Sequence, residues 1–407
     1  MISKFTIKII NKYICRKIPI AWLQLSHKKT RLLVALIGIA FADILMFTQL
    51  GLRSLLFDGI TLVPENLNGD LYLISAYAQN IGSSSFPKVY LYQANAIAGV
   101  ASASPLYIGS AEWVNPENIK SSTDEKSIDV RKAYKVRVLA FNPQQPVFIL
   151  PEINQQLDLL TIPKNVLFDR LGQPQLGKIT QLFIQDGEVI TIMNNRMIRI
   201  AGLFNMGSTV FDQGHVVMSD WNYGIQNGNN ILKKISVGIL TLEQGVSKKT
   251  IIDNIKKNLS KDVKAVSKEE LMQIEQNYIA QFPEGKILNF GVAIGFIVGV
   301  VVVYQVLYTD VSEHLSEYAT LKAIGYSDRF LLKIVLQEAI ILGIVGFIPS
   351  FFISYGVYNF LESNTKIPLQ MSFDIIVKVF ILTIFMCCFS GFIAVKKLSD
   401  ANPADIF

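Results

Sequence analysis

Four long apolar runs punctuate this chain, at residues 32–52, 287–308, 331–360 and 373–395. Each reaches the roughly 20 residues that a helix needs to cross a hydrocarbon core about 30 Å thick. Each carries a blemish: Asp43 in the first, Lys333 and Glu338 early in the third, Lys378 early in the fourth. Lys333 and Glu338 are expected to stay at the interface on entry, and Lys378 to snorkel toward headgroups. Between the first and second runs the pattern changes to short alternations. GDLYLIS (69–75), YKVRVLAF (134–141) and EVITIMNNRMIRIAGLF (188–204) predict strands bounded by turn residues. ISVGILTL, GVSKKTIIDNIKKNLS, DVKAV and SKEELMQIEQNYIAQF then predict strand, helix, strand, helix, an α+β pattern. The first span is expected to continue outward through LRSLLFDGITLVPENL, and the last of these helices to run on toward the second span. SSTDEKSID (121–129) reads as a polar loop.

The fold class that follows is a membrane protein with four transmembrane helices. A large α+β extracytoplasmic domain stands on two helical stalks between the first and second spans. The segments are 1–31, a basic cytoplasmic or interfacial stretch; 32–52, the first span; and 53–286, the extracytoplasmic domain with stalks at both ends. Then come 287–308, the second span; 309–330, a cytoplasmic loop; 331–360, the third span; 361–372, a short external loop; 373–395, the fourth span; and 396–407, a cytoplasmic tail.

Charge sets the orientation. Lys4, Lys8, Lys12, Arg16, Lys17, Lys28, Lys29 and Arg31 precede the first run, and no acid appears before Asp43. That is the cationic flank of the cytoplasmic side. An even number of crossings returns the carboxyl end inside, where Lys396 and Lys397 agree. A mean hydropathy of +0.37 and 17% charged residues exclude an ordinary soluble enzyme. The net charge of +6 belongs to this membrane flank rather than to a nucleic-acid surface. Cys15, Cys387 and Cys388 make no disulfide framework, and the middle region, having no cysteine, folds on its core alone. The first run is longer than a signal-peptide core of roughly 7–15 residues and reads as an anchor.

Few motifs carry chemistry. There is no GxxxxGK[ST], GxSxG or HExxH, and His27, His215 and His314 are scattered without ligand spacing. The chain is therefore not expected to be an enzyme, to hold a metal, or to bind a cofactor of its own. Gly291, Gly295 and Gly299 form a small-residue ladder suited to close helix contact, within the chain or across a homodimer, and Gly38 with Ala42 is a weaker version. Asp43 falls roughly 18 Å along the helix from Arg31 at 1.5 Å per residue, so it must face protein or water. Structural hydrogen bonding at a helix interface is the favoured role, and direct participation in transport is the alternative.

The loop between the second and third runs is unusually patterned. Val311, Leu315, Tyr318, Leu321 and Ile324 make one apolar stripe, with Glu313, Glu317 and Thr320 off it. Gly325 sits where a helix would end left-handed, Ser327 can cap the next helix, and Tyr326 can staple onto Leu331. The polar face carries acids rather than the Lys/Arg suited to anionic headgroups, which fits a protein partner docking from the cytosol.

This layout resembles the permease subunit of MacB/FtsX-like (type VII) ABC transporters, and most closely the DevC type. The resemblance rests on IPIAWLQLSHKKTRLLVALIGIAFADILMFTQLG (18–51), EYATLKAIGYSD (317–328) and KKLSDANPADIF (396–407), with a weaker match at PKNVLFDR (163–170). Tyr318 and Ala319 depart from many relatives. The resemblance implies a coupling segment that contacts a separate cytosolic ABC ATPase through Glu313, Leu315, Glu317, Tyr318, Leu321, Lys322, Ala323, Ile324 and Gly325. It implies a homodimer, a periplasmic adaptor and a TolC-like outer-membrane channel, with ATP and Mg²⁺ held in the ATPase. The location is then the inner membrane of a bacterium, a cyanobacterium by the DevC likeness. The expected work is the transfer of ATP-driven motion through coupling helix and stalks, driving export of a glycolipid or other amphiphile. Alternatives are an FtsX-like transmitter that regulates an envelope hydrolase, a lipoprotein-releasing permease, and, from another class, a membrane-anchored sensor or enzyme.

Overall fold

The computed structural model describes residues 29–120, 133–314, 328–365 and 369–399. The SSTDEKSID segment and most of the patterned loop lie outside these residues. The chain divides into a helical unit, Met1–Arg53 with Lys286–Asn364 and Leu369–Phe407, and a sheet unit, Ser54–Gly285 with Thr365–Pro368. Helices of eight or more residues are numbered α1 (Lys29–Glu65), α2 (Ile179–Asp186), α3 (Asp220–Asn227), α4 (Lys248–Asn258), α5 (Lys268–Gln281), α6 (Pro283–Glu313), α7 (Asp328–Thr365) and α8 (Phe373–Ser399).

In the helical unit, each apolar run lies within one helix: α1, α6, α7 and α8 are long and apolar enough to cross a membrane. Their inner faces are built from small and branched residues, among them Ala35, Ile39, Ala42, Val303, Leu307, Ala339, Leu342, Cys387 and Ala394. Outer faces present Phe290, Phe352, Phe360 and Phe385, each more than half exposed. A helix bundle that is apolar outside as well as inside is stable only in lipid, where helical hydrogen bonding satisfies the backbone.

The strands of the sheet unit are β1 (Leu71–Ser75), β2 (Phe86–Pro87), β3 (Val100–Val114), β4 (Ala133–Phe141), β5 (Asn165–Asp169), β6 (Val189–Met193), β7 (Arg196–Phe204), β8 (His215–Ser219), β9 (Lys234–Ile235), β10 (Val237–Leu242) and β11 (Val263–Val266). Nine of them form one mixed sheet in the order β11-β1-β10-β3-β4-β8-β5-β7-β6. The long β3 pairs with β10 through its first half and with β4 through its second. It also meets β6 at Trp113↔Met193, so β3, β4, β8, β5, β7 and β6 close on themselves. Closure removes two sheet edges that would otherwise expose unpaired backbone groups. Trp113 is buried inside, 4.9 Å from the Phe168 ring, with its indole N–H donating to the Leu176 carbonyl at 3.0 Å. Burying such a side chain is worth about 1.5–3 kcal/mol.

The turn between β6 and β7 is Asn194-Asn195, both at positive φ, the conformation a two-residue hairpin requires and asparagine tolerates. The predicted strands 69–75, 134–141 and 188–204 are β1, β4 and the β6–β7 hairpin. The predicted strand–helix–strand–helix run is β9–β10, α4, β11 and α5.

Candidate functional site

Three groups of residues bear on the expected role. The first lies where α6 ends and the patterned loop begins. Arg31, near the start of α1, donates through Nη1 to Asp310 Oδ1 at 3.3 Å and through Nη2 to Glu313. Asp310 is buried, and Arg31 only partly exposed. Nearby on α7, Glu338 is fully buried and neither carboxylate oxygen has a hydrogen-bond partner. The flanking Val335, Ala339 and Leu342 explain this, since they carry that face of α7 into the bundle. The Arg31–Asp310–Glu313 tie was not foreseen: a helix that runs on through Asp310 and Glu313 puts both acids one turn apart on one face. Of the expected coupling residues, Glu313 is thus the last residue of α6. Leu315, Glu317, Tyr318, Leu321, Lys322, Ala323, Ile324 and Gly325 lie outside the described residues.

The second group is the contact between α1 and α6. A Cβ on Gly38 would meet Val302 Cγ1 at 2.1 Å; one on Gly295 would lie 3.2 Å from Met46 Cγ and 3.4 Å from the Ala42 carbonyl oxygen. On Gly291 it would strike the Gln49 amide at 2.5 Å, and on Gly299 it would strike Met386 Sδ at 2.0 Å and Ala42 Cβ at 2.9 Å. The glycine ladder thus makes contacts within the chain, the first of the two uses that the sequence reading allowed for it. Two backbones close along their length gain dispersion contact that larger residues would prevent.

Asp43 lies on the same helix as Gly38 and is fully buried. The Thr383 hydroxyl of α8 donates to its Oδ1 at 2.7 Å and the Ser350 hydroxyl of α7 to its Oδ2 at 2.9 Å. Three helices thus converge on one carboxyl group. On the same pair of helices, Tyr358 of α7 donates to the Phe47 carbonyl at 2.6 Å, and its hydroxyl occupies the place where a Cβ on Gly51 would be.

The third group is in the sheet unit, where α1 ends. Lys268, at the start of α5, donates to the carbonyls of Glu65 at 2.7 Å and Leu67 at 3.0 Å, supplying the partner a helix end lacks. Burial pulls the Lys268 ammonium below its ordinary range, against the opposing charges of Glu65 and Glu269. Ser267 and Glu270 form a reciprocal capping box at the start of α5. Glu275, one turn beyond Leu271 on the buried face, accepts from the Ile81 N–H at 2.6 Å. Burial pushes its carboxyl up to about 7, with the Ile81 N–H and the Arg137 charge pulling the other way.

At the far end of α5 the expected continuous stalk is interrupted. Phe282 is extended, with ψ of 149°, and a new helix opens at Pro283. The proline ring excludes the helical conformation from the residue before it. The second stalk is therefore two helices meeting at one residue, a break legible in the Phe282-Pro283 pair. α1 has no such interruption from Lys29 to Glu65, because its single Pro64 falls in the last turn.

A further arrangement in this unit escaped sequence reading. His215 Nδ1 lies 3.2 Å from Asp169 Oδ2, both fully buried. Asp169 also accepts from the backbone N–H of Met206 at 3.1 Å and Gly207 at 2.8 Å. The group anchors the loop 205–214 to the sheet. It contains no nucleophile, and among the described residues no cluster could hold a metal ion.

One comparison with known proteins covers the membrane half. Residues 289–403 match the family described as FtsX-like permease C-terminal. No curated protein matches the chain. Among solved structures, the chain is similar to the periplasmic region of MacB from Actinobacillus actinomycetemcomitans at 11% identity and a TM-score of 0.30, covering 52% of this chain and 94% of that one. It is also similar to the extracellular domain of the noncanonic ABC-type transporter YknZ from Gram-positive bacteria, at 10% identity and a TM-score of 0.31, covering 49% and 100%.

Proposed function

We propose that this chain, a MacB/FtsX-like permease by its FtsX-like domain at residues 289–403, transmits the motion of a separate cytosolic ATPase to its extracytoplasmic unit. The observation that carries the proposal is the Arg31 tie. Asp310 and Glu313 stand at the start of the patterned loop segment, in the last turn of α6, and Arg31 joins them to the base of α1. A push on the loop would reach α6 directly and α1 through this pair. The glycine contacts at 38, 291, 295 and 299 would then keep the two helices moving together. Asp43, buried in the bundle, is held by Ser350 and Thr383.

In this reading ATP and Mg²⁺ belong to the ATPase partner. The complex is a homodimer of this chain joined by a periplasmic adaptor and a TolC-like channel, in the inner membrane of a bacterium. The DevC likeness of residues 18–51 favours a cyanobacterial exporter of a glycolipid or other amphiphile. Affinity purification of the full chain with its ATPase, followed by export measurements, tests the reading. Leu321→Asp and Gly325→Pro are expected to insert normally yet lose ATPase binding or export. Survival of both functions in both variants would overturn the coupling role.

A further inference from the structure

A cavity of about 700 Å³ lies within the sheet unit, and nothing in the transmission reading uses it. One wall is apolar: Leu56 and Ile60 of α1, Phe211 of the 205–214 loop, and Tyr278 and Phe282 at the end of α5. Phe211 and Phe282 are each over a third exposed, so these rings lack full apolar cover. The same lining carries hydrogen-bond donors: Lys135 and Arg137 of β4, with the hydroxyls of Ser83 and Ser110. Arg137 Nε is bound to Asp212 Oδ2 at 2.6 Å, which fixes the guanidinium and leaves its other N–H groups. Lys135 has no ion pair among the described residues, even with its cross-strand neighbour Glu112. The acid on the rim that is not already paired is Glu284, contributed by the first turn of α6.

The loop that lines the cavity is fixed by its own hydrogen bonds. Asp169 grips the loop through the Met206 and Gly207 N–H groups, and Thr209 Oγ1 accepts from the N–H of Phe211 at 3.1 Å and of Asp212 at 3.0 Å. Gly59 lets that loop approach α1, since a Cβ there would sit 3.2 Å from Thr209 Cβ. A cavity of this size with one apolar wall and a few convergent polar groups is the usual form of a small-molecule site.

We infer that this cavity is a binding site for a single-tailed amphiphile with a small anionic head, its tail along Leu56, Ile60 and Phe282 and its head at Lys135 and Arg137. The chain length of the tail is limited by the cavity, and the Lys135 and Arg137 donors select an acceptor-rich head such as a phosphate or carboxylate. The inference rests on the exporter reading only for making this amphiphile the cargo; binding itself needs no ATPase. Its failure would therefore leave the coupling role standing.

The test uses the full chain in phosphatidylcholine nanodiscs without partners, labelled with dodecyl phosphate carrying a photoreactive diazirine in the tail. Saturable adducts are expected on the peptides containing Ile60, Phe211 and Phe282. A dodecyl maltoside probe with the same tail should label these peptides roughly tenfold less, about 1.4 kcal/mol of head-group preference. Lys135→Gln should bring the phosphate probe down to the maltoside level, and Ile60→Asp should abolish labelling by both. Inorganic phosphate in excess should not compete. Absence of saturable adducts at these peptides overturns the site. So does full competition by inorganic phosphate, or wild-type labelling in Lys135→Gln. That variant changes an exposed residue, so its result stands even where Ile60→Asp fails to fold.

Discussion

Arg31 in the first turn of α1 and Asp310 near the end of α6 form an ion pair at 3.3 Å, across 279 residues of sequence. The acid is almost wholly buried and the arginine mostly so. Removing one partner of such a pair leaves a buried charge, which costs more than the pair itself contributes. Arg31→Ala is therefore expected to lower export at unchanged ATPase binding. Combining it with Asp310→Asn should recover part of the loss, because no buried charge is then stranded. A double-mutant cycle on the melting of the full chain checks this, with a coupling of about 0.5–3 kcal/mol expected between contacting charged residues.

Asp43 should tolerate asparagine and not leucine. Asparagine keeps an oxygen for one hydroxyl and little changes in volume, so Asp43→Asn is expected to retain most export and most thermal stability. Asp43→Leu removes the one group that ties α7 and α8 to α1 here, while the Ser350 and Thr383 hydroxyls fall back on the Phe347 and Val379 carbonyls of their own helices, so a loss of about 0.5–1.5 kcal/mol per hydrogen bond is expected. Complete loss of export in a well-assembled Asp43→Asn protein would instead require an ionised carboxylate.

The glycine ladder makes a prediction about connectivity. Gly299→Leu should lower the melting temperature of the full chain equally at low and high protein concentration, since a larger side chain there would strike Met386 and Ala42 of the same chain. A loss that grows on dilution would place the ladder at a homodimer interface. Gly295→Val should separately lower the melting temperature, since neither Met46 nor the α1 backbone can withdraw without opening the contact.

Glu275 sets a pH dependence in the sheet unit. Its carboxyl is raised by burial to about 7 in the folded chain, from an ordinary value of 4.5. The folded state then holds the proton more tightly than the unfolded state. Stability is greatest below the unfolded value and falls as pH rises from about 4.5 to about 7, levelling beyond. The loss is on the order of 3 kcal/mol, at about 1.4 kcal/mol per pKa unit. Hydrogen exchange of the α5 amides in the full chain should accelerate over this window, and Glu275→Gln should flatten the dependence. Equal pH dependence in the variant would assign the effect to another group.

Much of the architecture was already written in local pattern. Runs of about 20 apolar residues announce helices that can span a bilayer, because the signal is carried by consecutive residues. The Asn194-Asn195 hairpin, the Ser267–Glu270 cap and the alternating strands are equally local, and each element stands where its own residues put it. The break at Phe282 was local as well, in the proline that follows it.

What the sequence alone determined is therefore the kind and order of elements, four apolar helices around a large α+β insert, and the residue types able to serve at helix contacts. Only the tertiary structure decided their partners. Gly291, Gly295 and Gly299 carry no partner in their own pattern; within the chain they meet α1 and Met386 of α8. Asp43 could not name Ser350 and Thr383, nor Arg31 name Asp310, because each pair is closed by helix packing hundreds of residues apart in the chain. The cavity at Lys135, Phe211 and Phe282 was hidden for the same reason. Local pattern sets which face of an element is apolar, while the choice of what covers that face is a property of the whole fold.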